Sequence, residues 1–296
     1  MVLLRIKKEG KKKYYYLEHT IRQRKSFRNK RIYLGAELPK NIEEIKENFV
    51  YGLLEEIYDK NLISIKEGFS KEFSGYPESG KEKYTESFMI RFTYDSNRIE
   101  GSTLTLKETA DLLQESITPR NKPLRDVKEA EAHKKVFYKM LEYNRELTLA
   151  VVLEWHRQLF LEIDPEIAGR IRKHNIAIAR SKAELPFPAE LNALLAEFFL
   201  WYQKHKDRMN PVVLAALVHL KFVTIHPFSD GNGRLSRLIM NFVLNKNKYP
   251  MLNIEYINRN AYYNSLERSQ ISKKEHIFVQ YLVKRYLKAY KRHIKK

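Results

Sequence analysis

Cysteine is absent from the 296 residues, and its absence excludes disulfide bonds and metal centres built on thiolates. No window holds eighteen consecutive apolar residues, so the sequence predicts no transmembrane helix. Lysines interrupt the short apolar run near the N-terminus, and this pattern does not fit a secretory signal peptide. A GxxxxGK[ST] phosphate-binding loop is also missing. We therefore expect a cytoplasmic protein that is not a P-loop enzyme.

The charge is strongly positive but unevenly distributed. The net charge is +19; residues 1–40 hold 13 Lys and Arg against 3 Asp and Glu, and residues 273–296 hold 9 against 1. The remaining chain is close to neutral, with 33 against 32. Two interpretations stay open. The basic ends are either solvated tails that aid solubility, or a surface for nucleic acid or for an acidic partner.

The hydrophobic pattern predicts four regions. In residues 1–40, Tyr-rich and β-branched segments separated by a polar turn predict a small basic β-hairpin appendage. Apolar residues at three- and four-residue spacing then predict a helical N-terminal extension (41–90), a main helical domain (91–272) and a basic C-terminal helix (273–296). Within 169–188, a brief alternation followed by prolines predicts a short strand or hairpin. The expected fold class is therefore mainly α, with this short β element inside the helical domain and the N-terminal hairpin before it.

A twelve-residue window, HPFSDGNGRLSR, follows a predicted buried helix and combines groups suited to proton transfer and metal binding. Pro227 ends that helix, because a proline disfavours helical backbone in the residue before it. His226 has an unperturbed pKa that suits it to accept a proton near neutral pH. Asp230 is the only carboxylate in the window, and an oxygen ligand beside phosphates is typical of Mg²⁺ sites.

The second half of the window predicts an anion site at the start of the next helix. Gly231 and Gly233 allow the backbone to turn tightly and to approach a ligand closely. Asn232 is suited to cap the helix, whose first N–H groups attract phosphate. Arg234 and Arg237 add planar cations that match phosphate oxygens. Together with the base and the metal ligand, these residues predict nucleotidyl or phosphoryl transfer to a hydroxyl.

The same window resembles the signature of Fic-domain proteins, HPFx[D/E]GNGRxxR, at every fixed position. The resemblance runs from about residue 90 to residue 270 and includes AGRIR at 168–172 and AYYNSLERS at 261–269. It implies a helical bundle with one β-hairpin flap, and transfer of AMP from ATP to a Ser, Thr or Tyr hydroxyl of a protein.

The resemblance also implies a role for each residue of the site. His226 would be the general base, and Asp230 the Mg²⁺ ligand. The residues around the phosphates of ATP would be Gly231, Asn232, Gly233, Arg234 and Arg237. The residues of the adenosine pocket would be Tyr262, Tyr263 and Gln270.

A second motif, SNRIEG at 96–101, resembles the inhibitory pattern [S/T]xxxE[G/N] of the family. Ser96 and Glu100 are one helical turn apart, so both can lie on one face. In the family the glutamate pairs with the second arginine, here Arg237, and misplaces the γ-phosphate. Because the motif precedes the catalytic loop, the chain resembles the class inhibited by a built-in N-terminal helix. In some members the same glutamate supports removal of AMP.

Segment 175–188 would be the flap, whose edge strand holds the backbone of a target protein and brings its hydroxyl near His226. A homodimer stays open, and a phosphocholine or UMP donor is compatible with the loop. The alternative from another class is a regulator that binds nucleic acid or protein through its basic ends. Its Fic core would then serve as a nucleotide sensor.

Overall fold

The computed structural model describes residues 2–23, 26–177 and 181–294. These residues form three β-strands and ten α-helices, so the mainly helical fold class is confirmed. The chain divides into two compact units, Met1–Asn61 and Leu62–Lys296. The boundary between the two units falls inside helix α1 (Ile42–Ser74). Among the described residues, no helix combines the length and the apolar character needed to cross a membrane.

The first unit contains an antiparallel sheet in the order β1 (Leu3–Glu9), β2 (Lys12–Gln23), β3 (Ser26–Gly35). The sequence predicted the hairpin of β2 and β3, and the structure adds β1 at its edge. The sequence did not predict this strand because LLRIKKE is exposed along its whole length and shows no apolar face, the signal on which strand prediction depends. Leu17 on β2 is 1% exposed and packs with Phe49 and Leu53 of α1 in a small core.

The second unit is a helical bundle whose elements follow the apolar periodicity of the sequence. Its helices after α1 are α2 (Glu78–Ile99), α3 (Leu106–Glu115), α4 (Leu124–Glu142), α5 (Leu149–Phe160), α6 (Leu191–His205), α7 (Pro211–Ile225), α8 (Asn232–Lys246), α9 (Arg259–Ser272) and α10 (His276–Ala289). Caps mark some of the starts: Thr105 and Glu108 form a reciprocal capping box on α3, and Asn210 caps α7 before Pro211.

Helices α7 and α8 lie at the centre of this unit. Helix α7 is apolar around most of its circumference, as expected for a helix that neighbours largely surround, and residues such as Leu214 and Phe222 are fully buried. On α8, Leu235, Ile239 and Phe242 are equally buried. The loop between the two helices is therefore anchored at both ends in the core, which fixes the position of its side chains.

The predicted flap, 175–188, is described only in part, because residues 178–180 lie outside the described residues. Over 175–177 and 181–187 the backbone is neither strand nor helix, in contrast to the predicted hairpin. Pro186 lacks the N–H that a strand ladder requires, which explains the irregular backbone there. A short 3₁₀ turn, Pro188–Glu190, then leads into α6.

Candidate active site

The loop between α7 and α8 is closed by one asparagine side chain. The Asn232 amide oxygen accepts the N–H of Phe228 at 2.9 Å, and its amide nitrogen donates to the Phe228 carbonyl at 2.8 Å. Asn232 was predicted to cap α8, but the structure places it one position later, with Gly231 at the cap in a left-handed conformation (φ 80°). The side chain braces the loop from inside because the deeply buried Phe228 lies within its reach.

His226 is the residue at which α7 ends, and its own backbone is left-handed, with φ 52°. The ring Nδ1 lies 3.1 Å from the Val223 carbonyl, which only accepts, so Nδ1 carries the proton. The other nitrogen, Nε2, is then left with a free lone pair. Burial lowers the pKa of His226, and the nearby Arg172 lowers it further, so the ring is neutral at neutral pH. A neutral ring with a free Nε2 is the form that a general base requires.

A second histidine, His156 of α5, supports the loop from below. Its ring stacks on Phe228 (3.7 Å between centroids) and on Phe160 (4.7 Å). Nε2 donates to the Asp230 carbonyl at 3.0 Å, and Nδ1 accepts the N–H of Gly169 at 2.9 Å. Burial lowers the pKa of His156 to about 4, so this neutral arrangement persists across the physiological range.

Gly231 is required by the same packing. A Cβ at this position would lie 2.3 Å from the Phe160 ring, and the left-handed φ of 80° is itself unfavourable for other residues. The contact between the Gly231 backbone and the Phe160 ring therefore limits the movement of the loop toward α5.

Asp230 lies among cations. One carboxylate oxygen accepts the Gly231 N–H and the Arg234 guanidinium, the latter at 3.2 Å. The other oxygen accepts from Arg125 of α4 at 2.7 Å. These partners outweigh the effect of burial, which alone would raise the pKa, and hold the pKa of Asp230 below its ordinary value. Glu129 in turn forms an ion pair with Arg234 at 3.1 Å, which holds that guanidinium in place.

The loop offers Mg²⁺ one carboxylate ligand, from Asp230. Among the described residues, no group of three or more His, Cys, Asp or Glu side chains forms a metal site. Asp230 therefore offers a single ionised carboxylate, and its side chain is 38% exposed. Mg²⁺ commonly binds through one or two carboxylates together with substrate phosphates and water, so the site suits an ion that arrives with a polyphosphate.

Arg237 of α8 is 1% exposed and every nitrogen of its guanidinium has a partner. It donates to the Ser96 hydroxyl at 3.0 Å, to the Ser96 carbonyl at 2.9 Å and to the Glu100 carboxylate at 2.7 Å. The Tyr262 hydroxyl accepts from Arg237 at 3.3 Å, which leaves the phenol proton for His219 Nε2 at 3.0 Å. Burial opposes this charge, but Tyr262 and Glu100 keep the pKa of Arg237 raised.

Glu100 approaches the start of α8 at Gly233. A Cβ at residue 233 would lie 2.2 Å from the Glu100 carboxylate, so a side chain there would displace it. Both residues, together with His226, line a cavity of about 490 Å³. The predicted inhibitory glutamate and the predicted base thus face the same space.

The three residues predicted for the adenosine pocket lie at different positions around the cavity. Tyr263 and Gln270 line the cavity; the Tyr263 hydroxyl donates to the Ile99 carbonyl at 2.9 Å, and Gln270 donates to Thr224 at 3.1 Å. Tyr262 also borders the cavity but is only 1% exposed. Its main polar role is toward Arg237, so it links the pocket to the arginine.

Sequence reasoning assigned no role to three residues that hold the site. Arg125 and His156 contact Asp230, and Arg172 donates to the His226 carbonyl at 2.9 Å and to the Pro186 carbonyl at 2.6 Å. Arg172 lies in the quoted AGRIR segment, which was a signal for it. Arg125 and His156 had no local signal, because their partner is distant in sequence.

The fold and the loop define a Fic domain, and comparison with known proteins agrees. Residues 146–244 match the model of the Fic/DOC family. The chain is 32% identical over 195 residues to the protein adenylyltransferase Fic of Culex quinquefasciatus (64% of this chain, 39% of that protein). It is 34% identical over 178 residues to the protein of the same name from Drosophila yakuba (59% and 36%).

Solved structures support the same assignment. A Fic-domain-containing signalling protein from Bacteroides thetaiotaomicron is 28% identical, with a TM-score of 0.70 over 78% of this chain and 97% of that one. Fic-1 from C. elegans, 24% identical with a TM-score of 0.68 over 86% and 77%, shares the fold. The chain therefore carries a Fic domain of the Fic/DOC family. It spans about two fifths of the length of the curated relatives that it matches.

Proposed function

We propose that this chain is an autoinhibited, Mg²⁺-dependent protein adenylyltransferase. It would transfer AMP from ATP to a Ser, Thr or Tyr hydroxyl of a target protein, or of itself. The names of the relatives support the reaction class. The observation that carries the proposal is the Glu100–Arg237 ion pair of 2.7 Å, which borders the cavity lined by His226.

The chemistry would use the neutral base and the cations of the loop. His226 Nε2 takes the proton of the target hydroxyl, and the hydroxyl oxygen attacks the α-phosphorus of ATP. The bond from that phosphorus to the bridging oxygen breaks, and pyrophosphate leaves with the electron pair. The N-terminus of α8 and Arg234 attract the negative phosphates. Bound Mg²⁺ would neutralise charge on the phosphate oxygens, with Asp230 as its protein ligand.

Arg125 occupies a carboxylate oxygen of Asp230 that would be needed for Mg²⁺ binding. Its guanidinium contacts one of the two Asp230 oxygens, while Gly231 and Arg234 contact the other. A metal ligand must therefore be released from at least one of these partners. Because the Arg125 side chain is 57% exposed, it is the partner that can move away at least cost.

The proposed inhibition follows from the ion pair between Glu100 and Arg237. The carboxylate neutralises a buried guanidinium that would otherwise attract a phosphate, and it places a negative charge beside Gly233. A polyphosphate that enters along α8 meets this charge instead of a free cation. ATP would then bind with its γ-phosphate displaced and its α-phosphorus poorly aligned for attack. Removal of the Glu100 carboxylate should release both effects together.

The target protein would dock beside the cavity on segment 175–188. Within its described part, the Lys182 N–H donates to Glu267 of α9 at 2.8 Å, and the Ser181 hydroxyl donates to the same carboxylate at 3.3 Å. Ser181 and Glu267 also line the cavity, so this part of the segment is fixed near His226. An extended target backbone could pair there and direct its hydroxyl toward the base.

The reaction class is tested by the position of the label in ATP. Glu100→Gly is incubated with Mg²⁺ and either α-³²P- or γ-³²P-ATP, alone and with a cell extract. Label should enter protein from α-labelled ATP and not from γ-labelled ATP. His226→Ala in the same background should abolish transfer and retain ATP binding. Label from the γ-position, or transfer that survives His226→Ala, would contradict the proposed reaction.

A further inference from the structure

The face of the N-terminal sheet that points away from its core carries a cluster of tyrosines. Cross-strand partners share a face, and the register pairs Arg5 with Tyr16 and Tyr16 with Tyr33. Tyr14, two residues before Tyr16, lies on the same face. The next residue along β2, Leu17, points the other way and is buried against α1. The tyrosine face therefore contributes nothing to the core of this unit.

The three rings lie side by side around Tyr33, which is tilted by 44° to the Tyr16 ring and by 48° to the Tyr14 ring. The centroid of the Tyr33 ring lies 5.2 Å from that of Tyr16 and 6.3 Å from that of Tyr14. Tyr33 is 57% exposed, although a ring of this size is usually more buried. The guanidinium of Arg31 lies 5.4 Å from the centre of the Tyr16 ring. An exposed ring beside partly exposed rings and a cation is suited to contact a ligand that has both aromatic and anionic groups.

Cations surround the three rings on the same face. The side chains of Arg5, Lys7 and Arg31 are 63%, 62% and 54% exposed. Two carboxylates are also present: Glu18 lies 3.2 Å from Arg31 and 4.0 Å from Arg5, and Glu9 lies 2.6 Å from Lys7. They orient the cations but do not balance this region, since residues 1–40 hold 13 Lys and Arg against 3 Asp and Glu.

We propose that this face, defined by Tyr14, Tyr16, Tyr33, Arg5, Lys7 and Arg31, binds single-stranded nucleic acid. Unpaired bases would stack on the tyrosines, and the flanking cations would contact the phosphates. A duplex offers phosphates but no free base faces, so it would use only the cations. An acidic peptide would likewise leave the rings without a partner. The combination of rings and cations on one face therefore favours a single strand over both.

The proposal is tested on the full chain by fluorescence anisotropy with labelled 12-nucleotide oligo-dT and oligo-rU, which distinguish DNA from RNA. A duplex of the same length and poly-glutamate serve as competitors. At least one single strand should bind more tightly than the duplex, and its affinity should fall steeply with salt. Tyr33→Ala should weaken binding roughly tenfold, whereas Tyr33→Phe should keep the affinity because it keeps the ring.

A matched control separates the surface from general charge. Arg31→Gln should weaken binding, whereas Lys135→Ala, which removes an exposed cation on α4, should not. Tyr33 is exposed, so its substitution should leave thermal unfolding unchanged, and this is measured alongside. The proposal fails if neither strand binds at low salt, if duplex or poly-glutamate binds as tightly as the single strands, or if Tyr33→Ala binds like the wild type. None of these outcomes depends on AMP transfer.

Discussion

The carboxylate of Glu100 and the guanidinium of Arg237 are 137 residues apart in sequence and 2.7 Å apart in the structure. Glu100 directly follows α2 and Arg237 lies in the second turn of α8, so the pair joins the end of α2 to the helix that follows the His226 loop. Arg237 is fully buried whereas Glu100 is 28% exposed at its side chain. The arginine is therefore fixed, and the glutamate is the partner that can leave.

Arg237 should bind the phosphates of ATP as well as hold the inhibitory Glu100. In the Glu100→Gly background, Arg237→Ala should lower the rate of AMP transfer by roughly a hundredfold, because a preorganised cation for the phosphates is lost. The measurement is the rate of label transfer from α-³²P-ATP. If Arg237→Ala transferred AMP as fast as Glu100→Gly alone, the arginine would act only as the anchor of the glutamate.

Tyr262 should act on the reaction through Arg237. Tyr262→Phe removes the hydroxyl that accepts from Arg237 and donates to His219, a loss of about 1 kcal/mol for a hydrogen bond. In the Glu100→Gly background we expect the KM for ATP to rise severalfold while kcat changes little. A fall in kcat with unchanged KM would instead indicate that Tyr262 contacts the reacting atoms, which would contradict a role exerted through Arg237.

Asp230 should set the dependence on divalent cations. Asp230→Asn keeps the shape of the side chain and removes the charge that Mg²⁺ would bind. In the Glu100→Gly background, the Mg²⁺ concentration for half-maximal transfer should rise at least roughly tenfold, or transfer should cease. Asp207→Asn, on an exposed residue after α6, is the matched control. An unaltered Mg²⁺ titration of the Asp230 variant would remove its role as a ligand.

Buried histidines should make the fold sensitive to mild acid. Burial lowers the pKa of His133 to about 3 and that of His156 to about 4, whereas both titrate near 6.5 in the unfolded chain. Below pH 6.5 the unfolded state thus binds more protons, so the free energy of unfolding falls as the pH falls from 6.5 toward 4. Each histidine contributes about 1.4 kcal/mol per pH unit at most.

Urea unfolding at pH 7 and pH 5 measures this loss. The wild type should be less stable at pH 5, and His133→Asn, whatever its stability at pH 7, should lose less between the two values. Equal losses in the two proteins would show that His133 is protonated in the folded state at pH 5, in conflict with its burial.

Much of the site could be predicted because its chemistry is contiguous. The segment from His226 to Arg237 forms one loop and one helix start, and local rules suffice for both. Glu100 was found by its own motif, although its contact with Gly233 required the structure. By contrast, Arg125 reaches Asp230 across 105 residues and His156 across 74, and no local pattern encodes such contacts.

In the fold, too, features with a local sequence signal were predicted and features without one were not. Apolar periodicity predicted a mainly helical fold, and the ten helices of the described residues confirm it. Strand β1 was not predicted, because a strand at the edge of a sheet with all its residues exposed has no apolar face to reveal it. The cap of α8 was assigned to Asn232 from the sequence but is Gly231 in the structure. The Asn232 side chain instead bonds the backbone of the buried Phe228, and local sequence does not encode that burial.

The measurement that tests the central claim most directly is the rate of AMP transfer in wild type and Glu100→Gly under identical ATP and Mg²⁺, with Glu78→Gly at the exposed start of α2 as the control. Loss of the charge-assisted bond to Arg237 should raise the rate at least roughly tenfold. Glu78→Gly should match the wild type. Equal rates in wild type and Glu100→Gly, with ATP bound by both, would contradict the inhibitory role of the Glu100–Arg237 pair.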